Sequence, residues 1–224
     1  MNDYELTVGP HRRPGAGRCA MEWIAHLTGE PHTDAPSTVS PVLAAFARSR
    51  NDALDDRTRQ RLRPYLARMI GTAGDGLDEW RAALCTDWVV VGCVPALLEH
   101  AGLADHADAP LTEAARAVAG TRRDRRRGSC SDGARHATRA LTRAAGWEAA
   151  RAAVRAAGVD TSSVDRACQA ARDAAWVAAW LHEPSPWQAA RPVADALQSS
   201  SFELLDRMLP GEPLTLARKA LAAA

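Results

Sequence analysis

Apolar side chains recur along this chain at intervals of three and four, and no segment alternates convincingly, so the pattern predicts helices throughout. Ala20, Trp23, Ile24 and Leu27 form one face of a helix over Arg18–Leu27, stopped by Gly29 and Pro31. Ser40 followed by Pro41 is a preferred helix start, and that helix carries Val42, Leu43 and Phe46 inward before ending near Asn51. A third begins at Asp55 or Asp56 and runs through Ile70, with Leu62, Leu66 and Ile70 in register and Pro64 expected to kink or split it. After the breaker Gly71–Gly76, Leu77–His100 reads as a long buried helix with Trp80, Leu84, Asp87, Val91, Val94 and Leu98 on one stripe, bent at Gly92 and Pro95. Further helices are predicted around Leu111–Ala119, over Arg135–Ala157 with an interruption at Gly146, over Thr161–His182 behind Asp160, and over Pro186–Leu197, Ser201–Leu209 and Leu214–Ala223. The expected fold class is all-α, an irregular multi-helix bundle of about eight to ten helices.

Residues 1–15, with Pro10, Pro14, Gly9 and Gly15, read as a mobile N-terminal arm. Residues 16–224 read as a single helical domain. Its N-terminal half, 16–103, and C-terminal half, 134–224, are separated by an exposed arginine-rich loop at 120–133.

Composition supports helix: alanine dominates, β-branched residues are few, and the only lysine is Lys219 among 28 basic residues. A net charge of +1 gives no whole-protein attraction to nucleic acid or an anionic membrane. Uncharged Trp88–Leu98 is shorter than the roughly 18 residues that would span a bilayer, and the first residues lack the apolar core of a signal peptide. Five cysteines without paired spacing fit reduced thiols, so the expectation is a soluble, cytoplasmic protein without a disulfide framework.

Candidate chemistry concentrates between Arg18 and Asp52, in Cys19, Glu22, His26, Glu30, His32 and Asp34. Cys19, Glu22 and His26 fall on one arc of the first predicted helix, away from its apolar face. This spacing suits a solvated polar face, a general acid–base group, a metal or a Cys19 nucleophile. No HExxH pattern and no second ExxH motif accompanies it, so neither metal nor cofactor is assigned. Asp87, beside Trp88 on an apolar stripe, needs an arginine, several donors or a proton. Trp23, Trp80, Trp88, Trp176 and Trp180 are expected to face inward, as core or as walls of a cavity. His182 reads as an end-of-helix histidine. Arg122, Arg123, Arg125, Arg126 and Arg127 form a basic patch without a nucleic-acid-binding motif, so nucleic acid ranks last among partners. No glycine pattern cradles a phosphate.

The succession CAMEW, GEP, PVLAAF, ND, then GTA, DGLDE, DW and AGL over Cys19–Leu103 resembles a group of helical proteins common in actinobacteria that carries no known reaction. That resemblance implies one N-terminal unit and directs attention to Glu22, Glu30, Asp34, Asn51 and Asp87. Together these features lead to a small-molecule-binding protein or enzyme of bacterial metabolism, with Glu22, His26, Asp34 and Asp87 supplying proton transfer or hydrogen bonds. Trp23, Asn51 and Trp88 would line the pocket. The competing reading is a non-enzymatic helical adaptor or regulator that binds a protein partner, or a second copy, through an apolar face.

Overall fold

The computed structural model describes residues 5–125 and 131–209. Among these, nine helices and no strand are found, so the chain is all-α. The helices are α1 Ala20–Thr28, α2 Pro41–Ala53, α3 at 56–69, α4 Asp78–His100, α5 Leu111–Arg125, α6 Asp132–Ala145, α7 Trp147–Ala156, α8 Ser162–Leu181 and α9 Pro186–Met208.

The boundaries follow local chemistry. Cys19 caps α1, whose end is set by Gly29 at φ +74°, where the left-handed backbone is cheapest for glycine. The Ser40 hydroxyl accepts the Leu43 amide at the start of α2. Pro64 does divide α3: a 3-10 turn at Gln60–Leu62 joins helical Asp56–Arg59 to Arg63–Met69. Gly146 at φ +88° separates α6 from α7. By contrast, Pro192 is carried within an uninterrupted α9 where two helices were expected. The tail helix predicted at 214–223 lies outside the described residues.

The structure corrects three further expectations. The stripe through α4 does not stay inside: Trp80 is 42% exposed, Val91 66%, and Asp87 is also on the surface. Ahead of the π-helical stretch Trp88–Cys93, in which the Val94 amide reaches back to the Val89 carbonyl, the buried positions are Arg81, Ala82 and Cys85, one residue out of step with the stripe. Its wider turn takes up one extra residue, and beyond it Val94 and Leu98 of the stripe are buried as expected. Pro95, lacking an amide hydrogen, follows directly. By length and composition α4 is also the one described helix apolar enough to cross a membrane, and 44% of its apolar stretch is buried within the fold.

The arginine-rich stretch is helical, not looped, as far as Arg125. The Arg122 guanidinium pairs with buried Asp173 and lies 5.6 Å from the Trp176 ring, while that of Arg125 lies 4.5 Å from Trp180. Residues 126–130 are outside the described part. Finally, residues 5–17 are not a loose arm but a strap held by hydrogen bonds. Leu6 and Gln60 exchange two of them, Thr7 N–H donates to Arg18 O, Gly9 N–H to Asp52, and the Trp23 indole to Glu5 O. Leu6 is 1% exposed and belongs to the core.

The chain divides into two compact units. The first takes the described residues of Met1–Ala82, Ala152–Val159 and Leu205–Ala224. In it, α1 packs on α2 and α3 around Met21, Ile24, Leu43, Phe46, Leu66 and Met69. Arg81 is buried and neutralised by Asp75 at 2.5 Å and Asp78 at 3.3 Å, and it donates to Met208 O. The second unit takes Ala83–Arg151 and Asp160–Leu204. Its centre is α8, against which α5, α6 and the latter part of α4 pack through an alanine-rich surface. Alanine lets helix axes approach closely, which is how so few large side chains fill this interior.

Candidate functional site

The first unit places a polar knot at the start of α1. Glu22 is the third residue of the helix, where its carboxylate turns back to accept the Cys19 amide at 2.8 Å, half of a capping box. That turn takes the side chain inside, to 1% exposure. The same oxygen, Oε2, accepts Nδ1–H of His11 at 2.7 Å, and Oε1 accepts the His11 amide at 2.5 Å. His32 Nε2 lies 3.4 Å from Oε1 and 2.8 Å from the His11 carbonyl. Burial alone would push the Glu22 carboxyl up. The two amides and the His11 imidazole outweigh it and hold the group below its ordinary value, as an anion.

Tautomers follow from these partners. A carboxylate only accepts, so His11 carries a hydrogen on Nδ1, and its Nε2 lies 3.1 Å from the Thr7 hydroxyl. A carbonyl only accepts, so His32 carries a hydrogen on Nε2. The hydroxyl–imidazole–carboxylate order Thr7–His11–Glu22 has the connectivity of a nucleophile relay. Its surroundings do not suit one. Gly17, at φ +118°, presses so close that an added Cβ would stand 2.5 Å from Thr7 Oγ1 and 2.9 Å from His11 Nε2. Thr7 and His11 therefore clasp the strap to α1.

Beside the knot is a cavity of about 100 Å³ lined by Arg18, Glu22, His26, Glu30 and His32. His26, one turn beyond Glu22, is exposed and meets Trp23 edge-on at 5.5 Å between ring centres. The Arg18 guanidinium lies 4.8 Å from the same indole. Glu30 accepts the Thr28 hydroxyl at 3.2 Å and the Ser37 amide at 2.7 Å. Burial pushes Glu30 up, but the Ser37 bonds and the Thr28 hydroxyl outweigh it and keep the carboxyl below its ordinary value.

Of the residues selected from sequence, Glu22 and His26 meet at this cavity, with Trp23 behind them. Asp34 does not join them. It borders a recess of about 20 Å³ with Cys19, Arg48 and Asp52, and its carbonyl accepts Arg48. Asn51 is wholly buried and structural: Oδ1 accepts the Ala20 amide at the head of α1, and Nδ2 donates to Thr7 O. Asp87 and Trp88 belong to the second unit, where Asp87 is exposed and Trp88 is buried with its indole donating to Ser200. The Cys19 nucleophile fails chemically, because burial above all pushes its thiol up to about 12. Among the described residues no group of three or more His, Cys, Asp or Glu could hold a metal ion. Arg18 and His11 escaped the sequence reading: His11 lies in a segment dismissed as an arm, and Arg18 has no motif. The Cys-x-x-Glu spacing of a capping box was the one signal that Glu22 turns inward.

His182 stacks on His100 in the second unit at 4.8 Å, its Nε2 donating to the His100 carbonyl at 3.2 Å. Burial first, and then His182, hold the His100 imidazole below its ordinary value.

Comparison with protein-family models, with curated proteins and with solved structures returned no match.

Proposed function

We propose that this chain binds a small polar molecule in the cavity beside Glu22 and supports proton transfer there, as a binding protein or an enzyme of bacterial metabolism. The carrying observation is that five ionisable side chains line one small cavity whose floor is a buried, ionised carboxylate. Glu22 already accepts three chain donors, so its role is to orient. His32, fixed through Nε2, keeps Nδ1 as a base, and His26 is the second imidazole at the rim. Asp34 and Asp87 have no part in this reading.

The test is native mass spectrometry of untagged protein, with elemental analysis, on the wild type and on H32N. A stoichiometric organic molecule retained by the wild type and lost by H32N is the expected outcome. Wild type that retains nothing, and whose His26 and His32 ring signals respond to no small polar molecule, would refute the reading.

A further inference from the structure

Resting on that proposed function, we infer that the molecule enters with an anionic group, a carboxylate or a phosphate, seated against Arg18. The unspent hydrogen-bond capacity of the cavity decides the sign. Its acids are committed: Glu22 receives two amides and His11 Nδ1 with His32 beside it, and Glu30 receives the Thr28 hydroxyl and the Ser37 amide. Arg18 is the opposite case. Among the described residues its side chain makes no hydrogen bond and no ion pair, and its Nε is buried without a partner. Its neighbour is the Trp23 ring, 4.8 Å below.

A guanidinium laid on an indole keeps its N–H edge free and its plane fixed, the arrangement that receives two oxygens of a carboxylate or phosphate side by side. Trp23 is itself pinned by its indole hydrogen bond to Glu5 O, so the platform is prepared before any ligand arrives. His26, edge-on to the same indole, lines the same cavity as Arg18. A volume of about 100 Å³ admits one such group and a few attached atoms, not a nucleotide or a peptide. The substrate class is a small acid or the phosphate end of a small metabolite.

The test follows the Arg18 Nε–H and His26 ring signals by NMR at constant ionic strength. Wild type is titrated separately with inorganic phosphate, acetate and, as a cationic control, ethylammonium. Saturable shifts with phosphate or acetate, and none with ethylammonium, are expected; whichever anion saturates at lower concentration identifies the group. R18Q should weaken that response about tenfold or more. The His11 signals should stay in place, since His11 is clasped to Glu22 and not to Arg18. H26N, expected to weaken it less, serves if R18Q folds poorly. No saturable response to either anion, or an R18Q titration that matches wild type, overturns the inference. Saturation by ethylammonium alone also overturns it while leaving a polar-ligand site in place. A ligand found by mass spectrometry that carries no acidic group separates the two in the same way.

Discussion

Glu22 shows how one side chain holds several local structures at once. It closes the capping box of α1, fixes the tautomer of His11 and stands behind His32. Replacing it by glutamine keeps the shape but turns an amide toward N–H donors, so E22Q should cost about 1–3 kcal/mol of stability by urea unfolding. Gly17 is a second sensitive position. G17A meets both a left-handed backbone and Thr7 Oγ1 at 2.5 Å, and should lose a similar about 1–3 kcal/mol with sharper loss of protection in the strap amides. Spacing marks Glu22 as chemically interesting and places it away from the apolar face of α1, on an arc that suits solvent as well as chemistry. A wheel drawn from spacing knows nothing of a strap that covers that arc from outside.

At the scale of elements, α1 depends on partners far away in sequence. Asn51 on α2 satisfies the first amide of α1, inside the protein, and the Thr7 carbonyl of the strap, which is partly buried. N51A should therefore lose about 1–3 kcal/mol and release strap and helix start together, read as faster hydrogen exchange at Thr7 and Ala20. Helix positions and their stops were legible because capping chemistry is local: Ser40–Pro41, Gly29 and Gly146 behave as their residue types dictate. The inward face of α4 was legible only beyond its π-helical turn, at Val94 and Leu98; the turn changes the register between the two parts, and no spacing rule announces where such a turn falls. The stretch 5–17 failed for a related reason: proline and glycine were read as looseness, whereas side chains of Asp52, Gln60 and Glu22 hold it.

For the molecule as a whole, Glu22, Glu30 and Asp75, three acids of the first unit, share one direction. Burial pushes Glu22 and Glu30 up and donors bring both lower still; the Arg81 hydrogen bond, above all, holds Asp75 low. Groups with lowered folded-state values bind fewer protons folded than unfolded just below the ordinary carboxylate range. Their stabilisation is complete above that range and lost as pH falls through the folded values. The urea midpoint should thus be level near neutrality and fall below about pH 4, with a shallower fall in E22Q. The all-α class was visible from periodicity and alanine content. The division into two units, each assembled from separated stretches, was not, since it depends on long-range contacts.

The thiols have a use unrelated to any ligand. Cys19, Cys85, Cys93 and Cys168 are buried thiols, and burial first raises Cys19, Cys85 and Cys168 to about 12. An alkylating reagent can then modify each one chiefly when its surroundings open, so the chain carries its own clocks for breathing in both units. Peptide mapping after timed alkylation should show Cys19 labelled faster in N51A, with Cys168 keeping wild-type time. Equal acceleration at both would mean that the strap governs opening well beyond the helix it fastens.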